Sequence, residues 1–528
     1  MTRNNRGAIS LALVGVIVFL SALLAYSLLA KPSPKATEAQ AITADVSPIV
    51  SSDAADVELA REIDRTINES DAAQARWGVF VASMKDGRVI HSRNGDRTFT
   101  PASNMKIFTT AVALDLLGQN HRWRTSVYAT KEMSADGRVD GDLVLYGRGA
   151  PDFDSKRSDG LPALVDQLYR RGVRHVRGNI IGDESYFRGE LYGIGWQWND
   201  LQWYFGAEPS ALSIDENSVE VTIAAAGKSG EPASVIITPN ENYLRLTNNT
   251  TTGDPDARTT IGIIRGLSGH DLRVWGEFPV RGRAFSAFLS TPNPAQRAAT
   301  VFRQALMARG IKVDGEPRSR DARTPNKEIF DPQKASELAY TDSQPLDLII
   351  RKTNKESNNL YAELLLRTLG KERGAAAPDP DPRKDRARGD DEAGVAVILS
   401  WLNSHGILTK TLALHDGSGL SRLDLITPES AVGLLMAIAK SDSGKVFLDS
   451  LPIAGRDGTL RGRMTSETGR VFAKTGTLTY DNSLSGYVQT ETGETLVFSI
   501  LCNDASGPVH PVRVIDQIVG LLAGHKNR

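Results

Sequence analysis

Apolar positions recur along this chain with two different periods, and each period marks a different kind of element. In the first and last parts of the chain they follow the 3.6-residue period of a helix or gather in short strand-like runs. Helices are predicted at 57–67, 105–117, 294–309, 345–352, 360–369, 393–404, 428–440 and 511–522. Strands are predicted beside them at 77–84, 88–91, 470–474, 483–489 and 495–502. This pattern predicts one α/β unit to which both parts of the chain contribute.

The middle of the chain has a different texture. From about 123 to 284, short apolar alternations are separated by Gly, Asp and Asn, as at 142–146, 218–224, 234–237 and 243–247. A period of two between turn-forming residues is typical of β-strands. We therefore predict a large β-rich insertion domain at 123–284. It would interrupt an α/β (α+β) domain made of residues 56–122 and 285–528.

The first residues predict a membrane anchor. Residues 7–30 carry no charge, and a helix of that length reaches roughly 36 Å, enough to cross a hydrocarbon core of about 30 Å. Two arginines would hold residues 1–6 in the cytoplasm and leave the folded part in the periplasm or extracellular space. An uncleaved transmembrane helix is favoured over a cleaved signal peptide, whose apolar region is usually shorter. Residues 31–55, rich in Pro, Ala, Ser and Thr, are predicted to form a flexible linker.

Composition excludes several classes of function. The 528 residues carry a formal net charge of −1, which gives no sign of nucleic-acid binding. The eight histidines show no metal-ligand spacing, so neither a metal nor another cofactor is expected. The single cysteine, Cys502, lies in an apolar run and is predicted to be a buried, unreactive thiol. Residues 371–392, dense in charge, Pro and Ala, are predicted to form a mobile surface loop.

A serine and a lysine stand three residues apart at the start of a predicted helix. In the string Ser103-Asn104-Met105-Lys106 this spacing brings the amine to the hydroxyl on one helix face. A serine hydroxyl needs a neighbouring base to become a nucleophile, and lysine can serve if burial lowers its pKa. The alternative is an N-cap serine followed by a solvated lysine.

Two later strings offer further polar groups. The Ser-Asn-Asn string at 357–359 would supply a proton relay at Ser357 and an amide at Asn359, or it simply caps the helix that follows. The string Lys474-Thr475-Gly476-Thr477 follows an apolar run. It would form a strand edge that binds an extended peptide and its carboxylate, or a charged strand end before a turn.

In this order the three strings resemble those of the penicillin-recognising serine acyl-transferases. About 250 residues separate the first string from the second, an interval that resembles the class-C low-molecular-mass penicillin-binding proteins. Those proteins are D-alanyl-D-alanine carboxypeptidase/endopeptidases. Further resemblance lies at 101–118, 140–143, 178–183, 196–213, 416–422 and 457–460. The implied fold is the penicillin-binding/serine β-lactamase-like transpeptidase fold with its insertion.

The resemblance implies roles for four catalytic residues. Ser103 would attack the carbonyl of a terminal D-Ala-D-Ala and form an acyl-enzyme, with Lys106 as the general base. Ser357 would pass a proton to the departing amine, while Lys474 would keep the local potential positive. The backbone N–H groups of Ser103 and Thr477 would form the oxyanion hole.

The resemblance also implies how partners bind. Asn359, Thr475, Gly476 and Thr477 would hold substrate, which is a peptidoglycan stem peptide, and β-lactams would inhibit by acylating Ser103. The alternatives are a β-lactamase, or a catalytically weak wall-binding or scaffold protein of the same fold.

Four further side chains are possible substrate contacts. Ser418 and Arg422 lie in a segment that resembles one in the family, although a tight turn explains its glycines equally well. Trp203 and Tyr204 would wall a pocket for the stem peptide or glycan, or else pack in a core.

Overall fold

The structure is a computed structural model that describes residues 50–323, 330–374 and 389–526. The predicted cytoplasmic N-terminus, membrane span and almost all of the linker lie outside these residues. Among the helices that are described, none is both long enough and apolar enough to cross a membrane.

The described segments alternate helices and strands. The helices are α1 (Ala54–Asn68), α2 (Met105–Leu117), α3 (Leu161–Arg170), α4 (Pro294–Ala308), α5 (Leu346–Lys355), α6 (Asn359–Arg373), α7 (Asp390–Ser404), α8 (Pro428–Lys440), α9 (Gly444–Ser450) and α10 (Pro511–Ala523). The strands are β1 (Arg76–Ser83), β2 (Val89–Arg93), β3 (Arg124–Ala129), β4 (Arg138–Val139), β5 (Leu143–Tyr146), β6 (His175–Val176), β7 (Ile180–Asp183), β8 (Ser218–Ala224), β9 (Ser234–Thr238), β10 (Arg245–Gly253), β11 (Gly262–Arg265), β12 (Asp271–Pro279), β13 (Phe285–Ser290), β14 (Lys312–Val313), β15 (Pro317–Arg320), β16 (Ser336–Asp342), β17 (Val471–Leu478), β18 (Asp481–Gln489) and β19 (Thr495–Asn503).

A five-stranded antiparallel sheet joins the two ends of the described chain. Its order is β17-β18-β19-β1-β2, so strands from before residue 94 and after residue 470 pair directly. Helices α1 and α10 cover one face, where Ile63, Val81 and Ile518 are fully buried. Cys502 lies in the same core, and burial raises the pKa of its thiol to about 12, which confirms the prediction of a buried cysteine.

The other face of this sheet is covered by helices around α2. The apolar side chains of α2 lie on all sides of the helix, as expected of a helix enclosed by others. All of its first ten residues are buried. Its neighbours are α5, α6, α7, α8 and α9. The enclosure of α2 matters for function because the helix carries Lys106 at its buried first turn.

The predicted boundary of the insertion at 284/285 is wrong. A second five-stranded sheet has the order β15-β7-β5-β3-β16, so strands at 317–320 and 336–342 pair with strands of the predicted insertion. The chain returns to the helices that surround α2 only at α5. Strand partners depend on long-range pairing, which local periodicity does not reveal.

The inserted part also contains helices. Helix α3, which lies within the region predicted to be β-rich, buries Leu161, Leu164, Val165 and Leu168. Helix α4 follows that region, as predicted, but lies against β7 and β15 and so belongs to the inserted part. Two three-stranded sheets, β13-β8-β9 and β10-β12-β11, share a separate small core that includes Val221, Leu272 and Phe278. We call these the paired sheets.

The ends of the predicted loop at 371–392 are helical. Helix α6 continues to Arg373 and α7 begins at Asp390, and the two helices pack along each other. Residues 375–388 lie outside the described part of the chain.

Candidate active site

The first string lies where a short turn enters α2. Ser103 sits in a single 3-10 turn, 102–104, and its side chain is partly open to solvent. Lys106 lies one turn further on and is fully buried, with its Nζ 2.9 Å from Ser103 Oγ. The reading of Lys106 as a solvated lysine is therefore wrong, and the predicted contact of amine and hydroxyl is present.

Lys106 is held by groups from distant parts of the chain. Its Nζ also donates to Asn359 Oδ1 at 2.6 Å and to the Ser418 carbonyl at 2.7 Å. Burial lowers the pKa of Lys106 to about 7, although the charges of Asp416 and Glu363 act to raise it. A lysine with this pKa is partly neutral at neutral pH, so it can accept a proton from Ser103.

The second string contacts both lysines of the site, Lys106 on α2 and Lys474 on β17. Its middle residue, Asn358, is the N-cap of α6 and accepts a hydrogen bond from the Tyr361 N–H at 3.1 Å, so the capping interpretation is correct for that residue. Ser357 has φ 60°, a left-handed conformation that costs a serine free energy. Its hydroxyl accepts from Lys474 Nζ at 2.9 Å, while Asn359 contacts Lys106. Strain at a residue in such a position is typical of functional sites.

The third string lies in β17, the edge strand of the sheet β17-β18-β19-β1-β2, which we call the catalytic sheet. Lys474 is fully buried and its Nζ also donates to the Thr475 carbonyl at 2.7 Å. Burial, reinforced by the charge of Lys106, lowers the pKa of Lys474 well below its usual range. Its surroundings therefore disfavour the charged form of Lys474.

Gly476 lets β17 approach the nucleophile turn. A Cβ at this position would lie 2.2 Å from Ser483 Oγ and 2.7 Å from the Pro101 carbonyl. Asn104 completes the junction, since its Nδ2 donates to the Lys474 carbonyl at 3.1 Å and to Ser483 Oγ at 2.7 Å. Sequence reasoning missed Asn104 and Ser483 as positioning residues, although Asn104 stands within the first string.

The free edge of β17 presents backbone groups to the cleft. The Ala473 N–H bonds the Pro452 carbonyl at 3.0 Å, on the side away from β18. N–H groups two residues apart point to the same edge of a strand, so those of Thr475 and Thr477 share that side. Thr477 is exposed, and the Thr475 hydroxyl lies 2.8 Å from that of Thr459. This edge suits an extended peptide.

The possible substrate contacts fall in different places. Ser418 is fully buried and meets the site through its backbone carbonyl, so its side chain packs within its own loop. Arg422 is partly exposed at the end of β17, where its Nη1 donates to Asp481 Oδ2 at 2.6 Å and to the Thr479 carbonyl.

The two aromatic residues differ in exposure. Trp203 packs on the core of the paired sheets, as its packing alternative anticipated. Tyr204 is exposed, and the next residue, Phe205, accepts a hydrogen bond from Asn359 Nδ2 at 2.9 Å. The inserted region therefore reaches the active site through this turn.

Three buried carboxylates behind Lys106 were not predicted. They are Glu363, Asp416 and Asp424, and all three are almost completely inaccessible to solvent. Burial raises the pKa of Glu363 to about 8 and that of Asp424 well above its usual range, and the charge of Asp416 adds to both effects. One signal was available in the sequence, because Glu363 follows Asn359 by one helical turn and shares its face.

A serine next to a buried lysine, a second serine–lysine pair and an open strand edge, all on this fold, define a serine acyl-transferase of the penicillin-recognising class. The family model of the D-Ala-D-Ala carboxypeptidase 3 (S13) family matches residues 59–525. The chain belongs to this family and is a serine-type D-Ala-D-Ala carboxypeptidase.

Known proteins agree with this assignment. The chain is 34% identical to the D-alanyl-D-alanine carboxypeptidase of an Actinomadura species (strain R39), over 89% of this chain and 86% of that protein. It is 26% identical to the D-alanyl-D-alanine carboxypeptidase DacB of Haemophilus influenzae, over 83% and 89% of the two chains. The crystal structure of penicillin-binding protein 4 from H. influenzae superposes with a TM-score of 0.73 at 24% identity, covering 88% of this chain and 98% of that one. The predicted penicillin-binding fold is confirmed.

Proposed function

We propose that this enzyme releases the terminal D-alanine of peptidoglycan stem peptides through an acyl-enzyme on Ser103. The observation that carries the proposal is the 2.9 Å contact between Ser103 Oγ and the buried Nζ of Lys106. Lys106 takes the hydroxyl proton as Oγ attacks the carbonyl of the penultimate D-alanine. The developing oxyanion is stabilised by the backbone N–H groups of Ser103 and Thr477.

The second serine–lysine pair serves the leaving group. The hydroxyl of Ser357 gives a proton to the amine of the departing D-alanine as the C–N bond breaks, and Lys474 resupplies the hydroxyl across their 2.9 Å hydrogen bond. Water then attacks the ester carbonyl and gives a proton to Ser357 and through it to Lys474. Lys106 returns its proton to Ser103 Oγ as the ester C–O bond breaks and the shortened peptide leaves. The side-chain amide of Asn359 orients Lys106 during both steps.

The terminal carboxylate of the substrate binds at the edge of β17. The hydroxyls of Thr475 and Thr477 donate to it, and the carboxylate raises the pKa of Lys474, which burial had lowered. An anionic substrate therefore favours the charged form of Lys474. The specificity for a free C-terminal carboxylate follows from this coupling.

Cross-linked stem peptides and β-lactams use the same serine. The edge of β17 remains open at Thr477, so the leaving amine can belong to a neighbouring stem peptide, which is endopeptidase action. A β-lactam would leave a stable ester on Ser103 and inhibit the enzyme. Residues 7–30 would anchor the enzyme in the membrane and place the site in the periplasm or extracellular space, next to peptidoglycan.

Fluorescent penicillin followed by peptide mass analysis tests the acyl-enzyme. We expect one label on Ser103 and none in Ser103→Ala. Incubation with disaccharide-peptide monomers and cross-linked dimers then identifies the products, namely loss of one alanine or splitting of dimers. Rapid turnover of penicillin without peptide hydrolysis would instead identify a β-lactamase.

A further inference from the structure

The loop at 416–421 contacts both the buried carboxylates and Lys106. Its backbone N–H groups turn inward, where Asp416 Oδ1 accepts from the Gly419 N–H and Oδ2 accepts from the Ser421 N–H, both at 2.7 Å. Asp416 Oδ2 also accepts from Trp196 Nε1 at 2.8 Å. A carboxylate with this many donors is stabilised as an anion.

One peptide group of this loop connects Asp416 to Lys106. The N–H of the Ser418–Gly419 peptide donates to Asp416 Oδ1, and the carbonyl of the same peptide accepts from Lys106 Nζ at 2.7 Å. Hydrogen bonds in a chain polarise each other, so an anion at the N–H end makes the carbonyl a stronger acceptor. The negative charge is thereby felt at Lys106 without direct contact.

The loop has little freedom to move. Glu363 Oε1 accepts from the Gly417 and Ser418 N–H groups at 3.0 and 2.9 Å, and the Thr109 hydroxyl of α2 donates to the Gly417 carbonyl at 2.8 Å. Gly419 has φ +77°, and a Cβ there would lie 1.8 Å from the Ala102 carbonyl, beside the nucleophile. The Ser418 carbonyl is therefore held in a fixed position relative to Ser103.

We propose that Asp416 is a positioning residue for acylation, acting on Lys106 through the Ser418–Gly419 peptide. The inference rests on the proposed roles of Ser103 and Lys106. The titratable groups that face Lys106 are Asp416 from the loop, Glu363 from α6 and Lys474 from β17. Asp424 faces Asp416 from the same loop region.

The three carboxyl groups differ in how strongly their surroundings favour the protonated form. Burial raises the pKa of Glu363 to about 8 and that of Asp424 well above its usual range, which favours the protonated form of both, while Arg367 acts against this at Glu363. Asp416 accepts hydrogen bonds from the Gly419 and Ser421 N–H groups and from Trp196 Nε1, so it is the carboxyl on which we place the negative charge. This charge favours the protonated form of Lys106, so its removal lowers the pKa of Lys106.

The test is the pH profile of Ser103 acylation by a fluorescent penicillin in Asp416→Asn and Glu363→Gln. In the unmodified enzyme acylation rises with pH through a midpoint near 7, because Lys106 must be neutral to act. In Asp416→Asn we expect the midpoint to fall by about one pH unit. We also expect the maximal rate to fall about tenfold, because the base is less well aligned.

Glu363→Gln is the matched variant. Glutamine imitates the protonated acid and keeps an acceptor for both N–H groups, so the midpoint should stay where it is in the unmodified enzyme. Asp56→Asn, which removes another fully buried carboxylate on the far side of the catalytic sheet, should lower thermal stability and leave the midpoint unchanged.

A fall of the maximal rate without a shift in Asp416→Asn would overturn the inference, since a purely structural role has that result. A shift in Glu363→Gln alone would also overturn it, by placing the charge on Glu363. If the unmodified enzyme is not acylated at all, the proposed function itself fails and the inference with it.

A measurement on the unmodified protein covers the case in which Asp416→Asn does not fold. With ¹³C-labelled aspartate carboxyls, the chemical shift of the Asp416 carboxyl should show a small step as Lys106 titrates. The step should be missing in Lys106→Ala. A step that persists in Lys106→Ala, or no step in the unmodified protein, would contradict the inference.

Discussion

Lys106 on α2 and Lys474 on β17 share two kinds of hydrogen bond. Each is fully buried, lies 2.9 Å from a serine hydroxyl and donates to a backbone carbonyl at 2.7 Å. They differ in their other neighbours, because Lys106 also donates to Asn359 and faces the carboxyls of Asp416 and Glu363, whereas Lys474 faces Lys106.

The difference teaches how two equal side chains acquire separate tasks. Burial lowers the pKa of both lysines, and the carboxylates limit this effect at Lys106, whose pKa of about 7 suits a general base. At Lys474 burial is reinforced by the like charge of Lys106, so both causes lower its pKa. In the proposed mechanism the substrate carboxylate acts in the opposite direction and favours the charged form of Lys474.

Replacing the base should have the largest effect. Lys106→Met removes the proton acceptor of Ser103, and we expect acylation by penicillin and by peptide to fall by about 10³–10⁴-fold. Lys474→Met should impair the carboxylate-bearing peptide more than a penicillin ester that lacks the carboxylate. Stopped-flow kinetics of acylation by the peptide and by the penicillin ester measure these rates. If Lys106→Met and Lys474→Met lost the same activity toward both the peptide and the ester, the two lysines would not have separate roles.

Changing the distance between β17 and the turn that carries Ser103 should have the next largest effect. Gly476→Ala places a Cβ against Ser483 Oγ and the Pro101 carbonyl and so forces β17 away from the nucleophile turn. We expect acylation to fall about a hundredfold and unfolding free energy to fall by about 1–3 kcal/mol.

Acylation kinetics and urea denaturation of Gly476→Ala give the two values. Gly227→Ala is a matched control, since a Cβ there meets no neighbouring atom within 4 Å and the residue, like Gly476, does not have a left-handed backbone. A comparable loss of acylation in the control would refute the steric explanation.

The lysines should also differ in their effect on stability. Lys474→Met removes a desolvated amine and should stabilise the fold by about 1–3 kcal/mol at pH 7. Lys106→Met should stabilise less, because Asp416 loses the cation that faces it. Thermal and urea denaturation measure both.

The pH dependence of that gain has a definite sign. A lysine whose pKa is lowered in the folded state binds fewer protons there than in the unfolded state. The stability of the unmodified protein therefore rises with pH until the pH reaches the lysine's unfolded-state pKa, near 10.5. The advantage of Lys474→Met should therefore shrink between pH 7 and 10.5. An advantage that grows with pH in this interval would contradict the lowered pKa.

Proton uptake on binding should be the smallest effect. If an anionic ligand charges Lys474, binding of a non-hydrolysed D-Ala-D-Ala analogue at pH 8 should take up less than one proton, and none in Lys474→Met. Calorimetry in two buffers with different ionisation enthalpies measures the uptake. Equal uptake in the variant would assign it to another group.

Local pattern was sufficient for the elements with strong periodicity. The bounds of α2 and α8 agree with those predicted, and β1, β18 and β19 lie where apolar runs indicated. Helix α3 was missed although Leu161, Leu164, Val165 and Leu168 have helical spacing, because the surrounding strand-like texture dominated the interpretation. The end of the insertion was misplaced because β15 and β16 have partners more than 130 residues away.

The sequence by itself determined the parts of the site that depend on short spacing. Ser103 and Lys106 meet because they are three residues apart at a helix start, and the three strings identify the chemistry. Only the tertiary structure decided what those parts do. Burial, the carboxylates of Glu363 and Asp416, and the junction at Gly476 come from segments hundreds of residues apart, and a pKa depends on the charges and solvent around a group, not on its neighbours in sequence.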